Sequence, residues 1–228
     1  MEILHEISKI DGIEWIRFLY SYPESITDEL INEVRDNPKI CKYFDIPIQH
    51  ISDKILKKMN RKSNGNGIRN LIKKIRSEIP NVILRTSLIV GFPTEDEKEF
   101  EELYEFVKEV QFDKLGVFQY SKEDGTVAEK MDGQISESVK KARWNKIMKI
   151  QKEISYSKLK EKVGRCYDVL LEGITDDENY VIGRTYMDVP DMDGVVYTKI
   201  DSNLTLGEFV KVKIIDIEDY DMIGAIER

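Results

Sequence analysis

The chain has 228 residues, of which 41% are hydrophobic and 34% charged, and its formal net charge is −8. This composition is typical of a globular protein with room for two domains, and no run of about 18 apolar residues could form a membrane-spanning helix. The N-terminus mixes acidic with apolar residues, unlike a signal peptide, so the sequence argues against a membrane protein and predicts a cytoplasmic location.

The first part of the sequence alternates short apolar runs with amphipathic stretches, which is the pattern of parallel β/α units. The predicted strands are Trp15–Ser21, Tyr43–Ile48, Val82–Gly91 and Lys114–Tyr120. The predicted helices are Ile3–Ile10, Thr27–Arg35, Gly67–Ile79, Glu95–Val110 and the longer Ser136–Lys162. Because a helix precedes the first predicted strand, the sequence begins in the middle of a β/α unit. We therefore expect further sequence before Met1.

A different pattern begins after Gly164. Five short β-type runs at regular spacing predict a small antiparallel barrel of the OB-like type: Tyr167–Leu171, Tyr180–Thr185, Gly194–Lys199, Phe209–Ile217 and Met222–Glu227. We therefore predict an α/β fold with two domains. Residues 1–162 form a partial TIM-like barrel of parallel β/α units, and residues 163–228 form the antiparallel β-barrel.

The negative charge is concentrated in the second predicted domain. Residues 163–228 contain fifteen acidic and six basic residues, a net charge of −9, so residues 1–162 carry a net charge of +1. An acidic domain repels the phosphates of nucleic acids and attracts basic proteins. The alternative is an ordinary solvated surface without a partner.

The two cysteines, Cys41 and Cys166, are far apart and belong to no CxxC or CxxxCxxC motif. They cannot hold a zinc ion or an iron–sulfur cluster by themselves. A disulfide between them is conceivable, but the predicted cytoplasmic location favours two reduced thiols.

Polar side chains at the carboxyl ends of parallel strands are candidates for a site, because chemistry in a parallel barrel is located there. Gln49 and His50 follow the strand Tyr43–Ile48, and an amide of this kind suits the polar edge of a cofactor. The alternative is that both side chains satisfy backbone groups in a turn.

The strand Val82–Gly91 places Arg85, Ser87 and Gly91 on one face by its period of two. Burial of an arginine among apolar residues is costly without an anion, so we expect a carboxylate partner, supplied by a ligand or by the protein. Thr94 follows the strand, and we expect it to cap the next helix, whose first N–H groups would face either a ligand or solvent.

Three strings, Tyr43–Ser63, Ile83–Phe100 and Phe112–Met131, together resemble the radical-SAM methylthiotransferase family in order and spacing. Thr94 and Asp96 stand where that family often has Gly and Thr. In the C-terminal region, Tyr180–Tyr197 and Asp219–Glu227 resemble the TRAM domain of the subfamily that modifies an aspartate of a small-subunit ribosomal protein. The resemblance implies that residues 1–162 are a partial radical-SAM core and residues 163–228 a TRAM domain.

The resemblance also implies S-adenosylmethionine and 4Fe-4S clusters as cofactors, one cluster being held by a CxxxCxxC motif that this sequence lacks. It places Arg85, Ser87, Gln49 and His50 in the S-adenosylmethionine pocket and Gly91 near the adenine. The residues implied to hold the protein substrate are Arg184, Asp188, Asp191 and Asp193.

The function implied is that of the C-terminal part of an enzyme that methylthiolates a ribosomal-protein aspartate, with a basic small-subunit ribosomal protein as partner. We expect this chain alone to bind no cluster and to be inactive, and its exposed strand edge predicts self-association. The alternatives are a fragment of a tRNA methylthiotransferase, although the acidic domain disfavours nucleic acid, and a non-catalytic TRAM-type binding module.

Overall fold

The computed structural model describes residues 2–200 and 204–227, and the chain divides into two compact units, Met1–Glu153 and Ile154–Arg228. The helices are α1 Glu2–Ser8, α2 Asp28–Asp36, α3 Asp53–Lys58, α4 Gly65–Glu78, α5 Glu97–Val110 and α6 Glu137–Lys160, with 3₁₀ turns at Pro23–Ser25 and Ala128–Lys130. The strands are β1 Tyr43–Asp45, β2 Ile83–Val90, β3 Lys114–Gln119, β4 Cys166–Ile174, β5 Tyr180–Arg184, β6 Val196–Lys199, β7 Phe209–Glu218 and β8 Asp221–Ile226. The division between the units falls within α6.

The first unit is built on a parallel sheet in the order β1-β2-β3, with helices connecting the strands. The alternation predicted for β2 is confirmed: Leu84, Leu88 and Val90 are fully buried, whereas Arg85 and Ser87 on the other face are half-buried. A parallel sheet needs such crossover helices, and their apolar faces cover the sheet. The predicted parallel β/α architecture is therefore confirmed.

The two main helices of this unit bury the faces that their sequence periodicity predicts. In α4 the buried apolar side chains are Ile68, Ile72 and Ile75. In α5 they are Phe100, Leu103, Phe106, Val107 and Val110. Phe106 packs edge-to-face on Phe112, with ring centroids 5.7 Å apart. Thr27 caps α2 as predicted, since its side chain accepts a hydrogen bond from the N–H of Leu30.

The strand predicted at Trp15–Ser21 is wrong. Only Ile16 forms a β-bridge, to Ile40, and the left-handed backbone of Tyr20, with φ of 59°, interrupts the extended chain. The next predicted strand is shorter than expected and ends at Asp45, because Pro47 has no N–H to donate to β2.

The second unit is a closed five-stranded barrel, as predicted, and its strand order is β4-β5-β6-β8-β7. Its pairs are antiparallel except for β6 with β8, which is parallel. The reason is topological: strand direction cannot alternate all the way around a closed ring of five strands, so one neighbouring pair must run in the same direction.

The interior of the barrel is filled by small and medium apolar side chains. Val169, Leu171, Val196, Val212 and Ile214 are completely buried there. Within the described residues, none of the helices of either unit has the length and hydropathy needed to cross a bilayer.

Both cysteines are free thiols, Cys41 buried and Cys166 exposed. A hydrogen bond to the carboxylate of Glu227 raises the pKa of the Cys166 thiol above its ordinary value. A raised pKa leaves less thiolate at mildly alkaline pH, and the thiolate is the reactive species. We therefore expect Glu227→Gln to speed alkylation of Cys166 by iodoacetamide several-fold, as followed by mass spectrometry. The control Glu208→Gln is expected to leave the rate unchanged, and an unchanged rate in Glu227→Gln would contradict the prediction.

Candidate active site

The carboxyl ends of β1, β2 and β3 lie along one edge of the parallel sheet, and the chain continues from them into polar loops. Beyond β1, Gln49 re-enters the sheet through a bridge to Leu88 of β2. Beyond β3, the N–H of Tyr120 donates to the carbonyl of Val90 at 2.9 Å. Of the residues that sequence reasoning assigned to cofactor binding, Gln49, His50, Ser87 and Gly91 lie at or near this edge. Arg85 lies further back in β2, paired with Lys114 at the start of β3.

Gln49 and Ser87 are neighbours at this edge. The N–H of Gln49 donates to the carbonyl of Ser87 at 2.9 Å, and Gln49 has a left-handed backbone with φ of 72°. A non-glycine residue in this region is uncommon and costs about 1–3 kcal/mol. The side chains of Gln49 and Ser87 are half-buried, and neither side chain forms a hydrogen bond within the part of the chain that the structure describes. They are thus open to a ligand.

Arg85 finds its anion within the protein. Its guanidinium donates to Asp45 Oδ1 at 2.8 Å, and Asp45 is only 1% exposed. The second oxygen of Asp45 accepts a hydrogen bond from the N–H of Tyr20 at 3.2 Å. The sequence left open whether this carboxylate comes from a ligand or from the protein, and the structure shows that Asp45 of the protein supplies it. The Arg85 side chain remains 13% exposed.

His50 is completely buried. Its Nδ1 accepts a hydrogen bond from the N–H of Ser52 at 3.0 Å, so the neutral ring carries its proton on Nε2. That nitrogen lies 3.5 Å from Glu95 Oε2. The imidazole Nε2 therefore faces the buried carboxylate of Glu95 without forming a hydrogen bond among the described residues.

The turn after β2 is held by Glu95, a residue that sequence reasoning did not select as functional. Gly91 has φ of +73°, and its N–H donates to Glu95 Oε2 at 2.8 Å. The aliphatic stem of Lys140 occupies the place where a Cβ on residue 91 would lie. Glycine is thus required at position 91 both by backbone conformation and by close packing.

The buried carboxylate of Glu95 is neutralised by Arg143 of α6. One guanidinium nitrogen of Arg143 donates to both the backbone carbonyl and Oε1 of Glu95, each at 2.9 Å. Glu95 is fully buried and the Arg143 side chain is 8% exposed. The pair ties α6 to the turn after β2, and no local sequence pattern indicated it.

The cap predicted at Thr94 is wrong. Helix α5 begins at Glu97, and its cap is Asp96, which forms a capping box with Glu99. These hydrogen bonds with Glu99, aided by Lys54, hold the pKa of Asp96 well below its ordinary value. Thr94 instead adopts a left-handed backbone with φ of 70° and donates its N–H to Gly133.

In the barrel, the four residues predicted to hold the protein substrate have different surroundings. Asp188 is buried and accepts a hydrogen bond from Thr185 Oγ1 at 2.8 Å, which fixes the loop that follows β5. Asp193 accepts from the N–H of Val189 at 3.0 Å. Arg184 pairs with Glu172 at 2.8 Å. Asp191 is exposed and therefore available to a partner.

Among the residues that the structure describes, no three His, Cys, Asp or Glu side chains are arranged to hold a metal ion, and the sequence has only two cysteines. We expect anaerobic reconstitution of the purified chain with iron and sulfide to leave no stable iron–sulfur absorbance after desalting. A full-length relative treated in parallel is the positive control, and one stable cluster per chain would contradict the expectation.

The TRAM domain family model matches residues 163–226, and the Radical SAM superfamily model matches residues 1–107. A curated relative, ribosomal protein uS12 methylthiotransferase RimO of Alkaliphilus oremlandii, is 60% identical over 99% of this chain and 52% of its own length. The chain is thus similar to the radical SAM superfamily in its first part, to TRAM domains in its last part, and to a curated methylthiotransferase over nearly its whole length. The RimO protein of Acetivibrio thermocellus is 53% identical over 99% of this chain and 50% of its own length.

The chain spans about half the length of the curated relatives it matches. Among solved structures, coproporphyrinogen III oxidase (HemN) from Escherichia coli, described as a radical SAM enzyme, is 14% identical with a TM-score of 0.49. The alignment covers 75% of this chain and 44% of that one.

Proposed function

We propose that this chain forms the C-terminal part of an enzyme that attaches a methylthio group to an aspartate of ribosomal protein uS12. The observation that carries the proposal is the 60% identity, over nearly the whole chain, to a relative named as a uS12 methylthiotransferase. The acidic character of residues 163–228 supports a basic protein as partner rather than a nucleic acid. A cytoplasmic location accords with a ribosomal substrate.

S-adenosylmethionine would lie at the carboxyl edge of the parallel sheet. In the whole enzyme this cofactor would supply the radical chemistry for removal of hydrogen from an unactivated carbon. Ser87 and Gln49 fit this role because their half-buried side chains can donate to and accept from a polar ligand. Arg85 would present its remaining exposed surface to the cofactor. His50 and Gly91 would hold the strand ends in place through their contacts with Glu95.

The cluster ligands lie outside this chain, so its own contribution would be to bind the cofactor's polar groups and to dock the substrate. In the barrel, Asp191 and Arg184 would meet the substrate, and Asp188 and Asp193 would hold the loop that presents them. The open edge of the parallel sheet would allow two copies of the isolated chain to associate.

A binding comparison tests the choice of partner. Purified chain is titrated with recombinant uS12 and, separately, with an anticodon stem-loop RNA, over a range of salt concentrations. We expect saturable binding of uS12 that weakens as salt rises and no measurable binding of the RNA. Tight, salt-sensitive binding of the RNA without binding of uS12 would contradict the proposal and would favour a tRNA-modifying enzyme.

A further inference from the structure

Helix α6 contacts the carboxyl edge of the parallel sheet through Lys140, whose side chain is only 5% exposed. The Lys140 ammonium donates to the backbone carbonyl of Tyr120, just after β3, at 2.9 Å. The aliphatic stem of the same side chain packs against Gly91, just after β2, in the space that a Cβ would need. One side chain thus contacts the ends of both neighbouring strands, and all three residues belong to the first unit.

The end of β3 is fixed around this lysine. The ammonium lies 5.3 Å from the centroid of the Tyr120 ring, a distance that suits a cation–π contact. The same ring packs edge-to-face on Phe92, which follows Gly91, with ring centroids 5.3 Å apart. The N–H of Tyr120 donates to the carbonyl of Val90 at 2.9 Å. Lys140, Tyr120 and Phe92 therefore join the turn after β2 to the end of β3.

A lysine is a costly residue at this buried position. Besides the Tyr120 carbonyl, its ammonium donates to Glu137 Oε1 at 2.7 Å. The Glu137 side chain is 82% exposed, so this ion pair does little to offset the burial of the charge. A methionine would fill the same space without a buried charge. Positions at which a protein keeps a residue that lowers its stability are typically functional.

Arg143, one turn further along α6, has a different role. It neutralises the buried carboxylate of Glu95, whose Oε2 accepts a hydrogen bond from the N–H of Gly91. Gly91 is therefore held at its N–H through Glu95 and at its Cα by the stem of Lys140. Loss of Arg143 leaves a buried carboxylate without its cation, whereas loss of the Lys140 ammonium leaves only the Tyr120 carbonyl without that donor. Arg143 thus supports stability, and Lys140 sets the geometry of the strand ends.

We infer that Lys140 is a positioning residue for the cofactor site and acts through Gly91 and Tyr120. The inference rests on the proposed function, which places S-adenosylmethionine at this edge of the sheet. By holding the Tyr120 carbonyl with its ammonium and Gly91 with its stem, Lys140 fixes the separation of the ends of β2 and β3. A site that is already ordered binds more tightly, because the ligand does not have to order it.

The test measures ligand binding and stability side by side in the whole 228-residue chain. The probe is S-adenosylhomocysteine, which lacks only the transferable methyl group of the cofactor and its charge, and its dissociation constant is measured by equilibrium dialysis. Lys140→Met keeps the stem and removes the ammonium, and the control Lys146→Met removes an exposed ammonium from the same helix. We expect Lys140→Met to weaken binding about tenfold and Lys146→Met less than about twofold. Both variants are expected to keep a urea midpoint close to that of the wild type.

Hydrogen exchange in the free chain follows the strand end itself. The N–H of Tyr120 is expected to exchange with deuterium about tenfold faster in Lys140→Met than in the wild type, because the end of β3 has lost its tether to α6. The N–H of Asp113, which donates to Leu84 at the other end of β3, is expected to exchange at an unchanged rate. An unchanged rate at Tyr120, or equal acceleration at Asp113, would overturn the positioning role.

The outcomes separate Lys140 from the proposed function. If Lys140→Met binds the probe as tightly as the wild type does, the positioning role fails and the proposed function stands. If the wild type itself does not bind the probe at millimolar concentration, the placement of the cofactor in this chain fails, and the inference about Lys140 fails with it. Failure of the proposed substrate is seen separately, as a chain that binds the probe through Lys140 but does not bind uS12.

Discussion

Replacing Arg143 with methionine is expected to lower the free energy of unfolding of the first unit by about 3–5 kcal/mol. Glu95 is completely buried and depends on Arg143 for two hydrogen bonds, so the substitution leaves an uncompensated carboxylate. Methionine retains the aliphatic stem and limits the loss of packing. Urea unfolding followed by tryptophan fluorescence measures the effect selectively, because Trp15 and Trp144, the two tryptophans of the chain, both lie in this unit.

The matched control is Lys146→Met on the same helix. Lys146 pairs with Glu101 at 2.8 Å, but the two side chains are 42% and 47% exposed, so the expected loss is below about 1 kcal/mol. The double variant Glu95→Gln/Arg143→Met removes the buried charge and is expected to be more stable than Arg143→Met alone. Similar losses for Arg143→Met and Lys146→Met would show that the buried pair does not hold the turn.

Replacing Arg85 with methionine is expected to cost about 3 kcal/mol in the same assay, with no cofactor present. The substitution removes the cation that pairs with the carboxylate of Asp45. This carboxylate is 1% exposed and would keep only its hydrogen bond from the N–H of Tyr20. The effect distinguishes a structural role of Arg85 from one confined to cofactor binding, because a purely ligand-binding arginine would not stabilise the free chain.

Asp45→Asn/Arg85→Met is the companion variant, since it removes both charges and is expected to regain part of the stability. Arg35→Met serves as the surface control, because the Arg35–Asp36 pair is exposed on both sides. An Arg85→Met variant as stable as the wild type would contradict the structural role and leave cofactor binding as the reason for the arginine.

The regular elements of the fold follow from local sequence. The period of two in β2 and the apolar faces of α4 and α5 are visible in short windows, because burial on one side imposes them directly. The segment Trp15–Ser21 has the same apolar character, but its pairing is limited to Ile16, and pairing depends on a distant partner that local pattern does not reveal. The parallel pair of β6 and β8 follows from closure of the ring and not from any one strand.

The candidate site was predicted only in part for the same reason. Gln49 was selected because it follows a parallel strand and Ser87 because of the period of two in β2, and the structure joins them by one backbone hydrogen bond. Glu95 and Arg143 were missed, since their contact joins residues 48 positions apart. One signal was available: a glutamate four residues after Gly91 can reach back to the N–H of that glycine.

The most direct test of the proposed function joins this chain to the N-terminal half of the Alkaliphilus oremlandii relative and expresses the chimera in cells that lack their own enzyme. The mass of ribosomal protein uS12 from these cells is then measured by mass spectrometry, for the intact protein and for its peptides after digestion. We expect a mass increase equal to one methylthio group replacing one hydrogen, located on an aspartate. Unmodified uS12, from cells in which the purified chimera carries its clusters, would contradict the account.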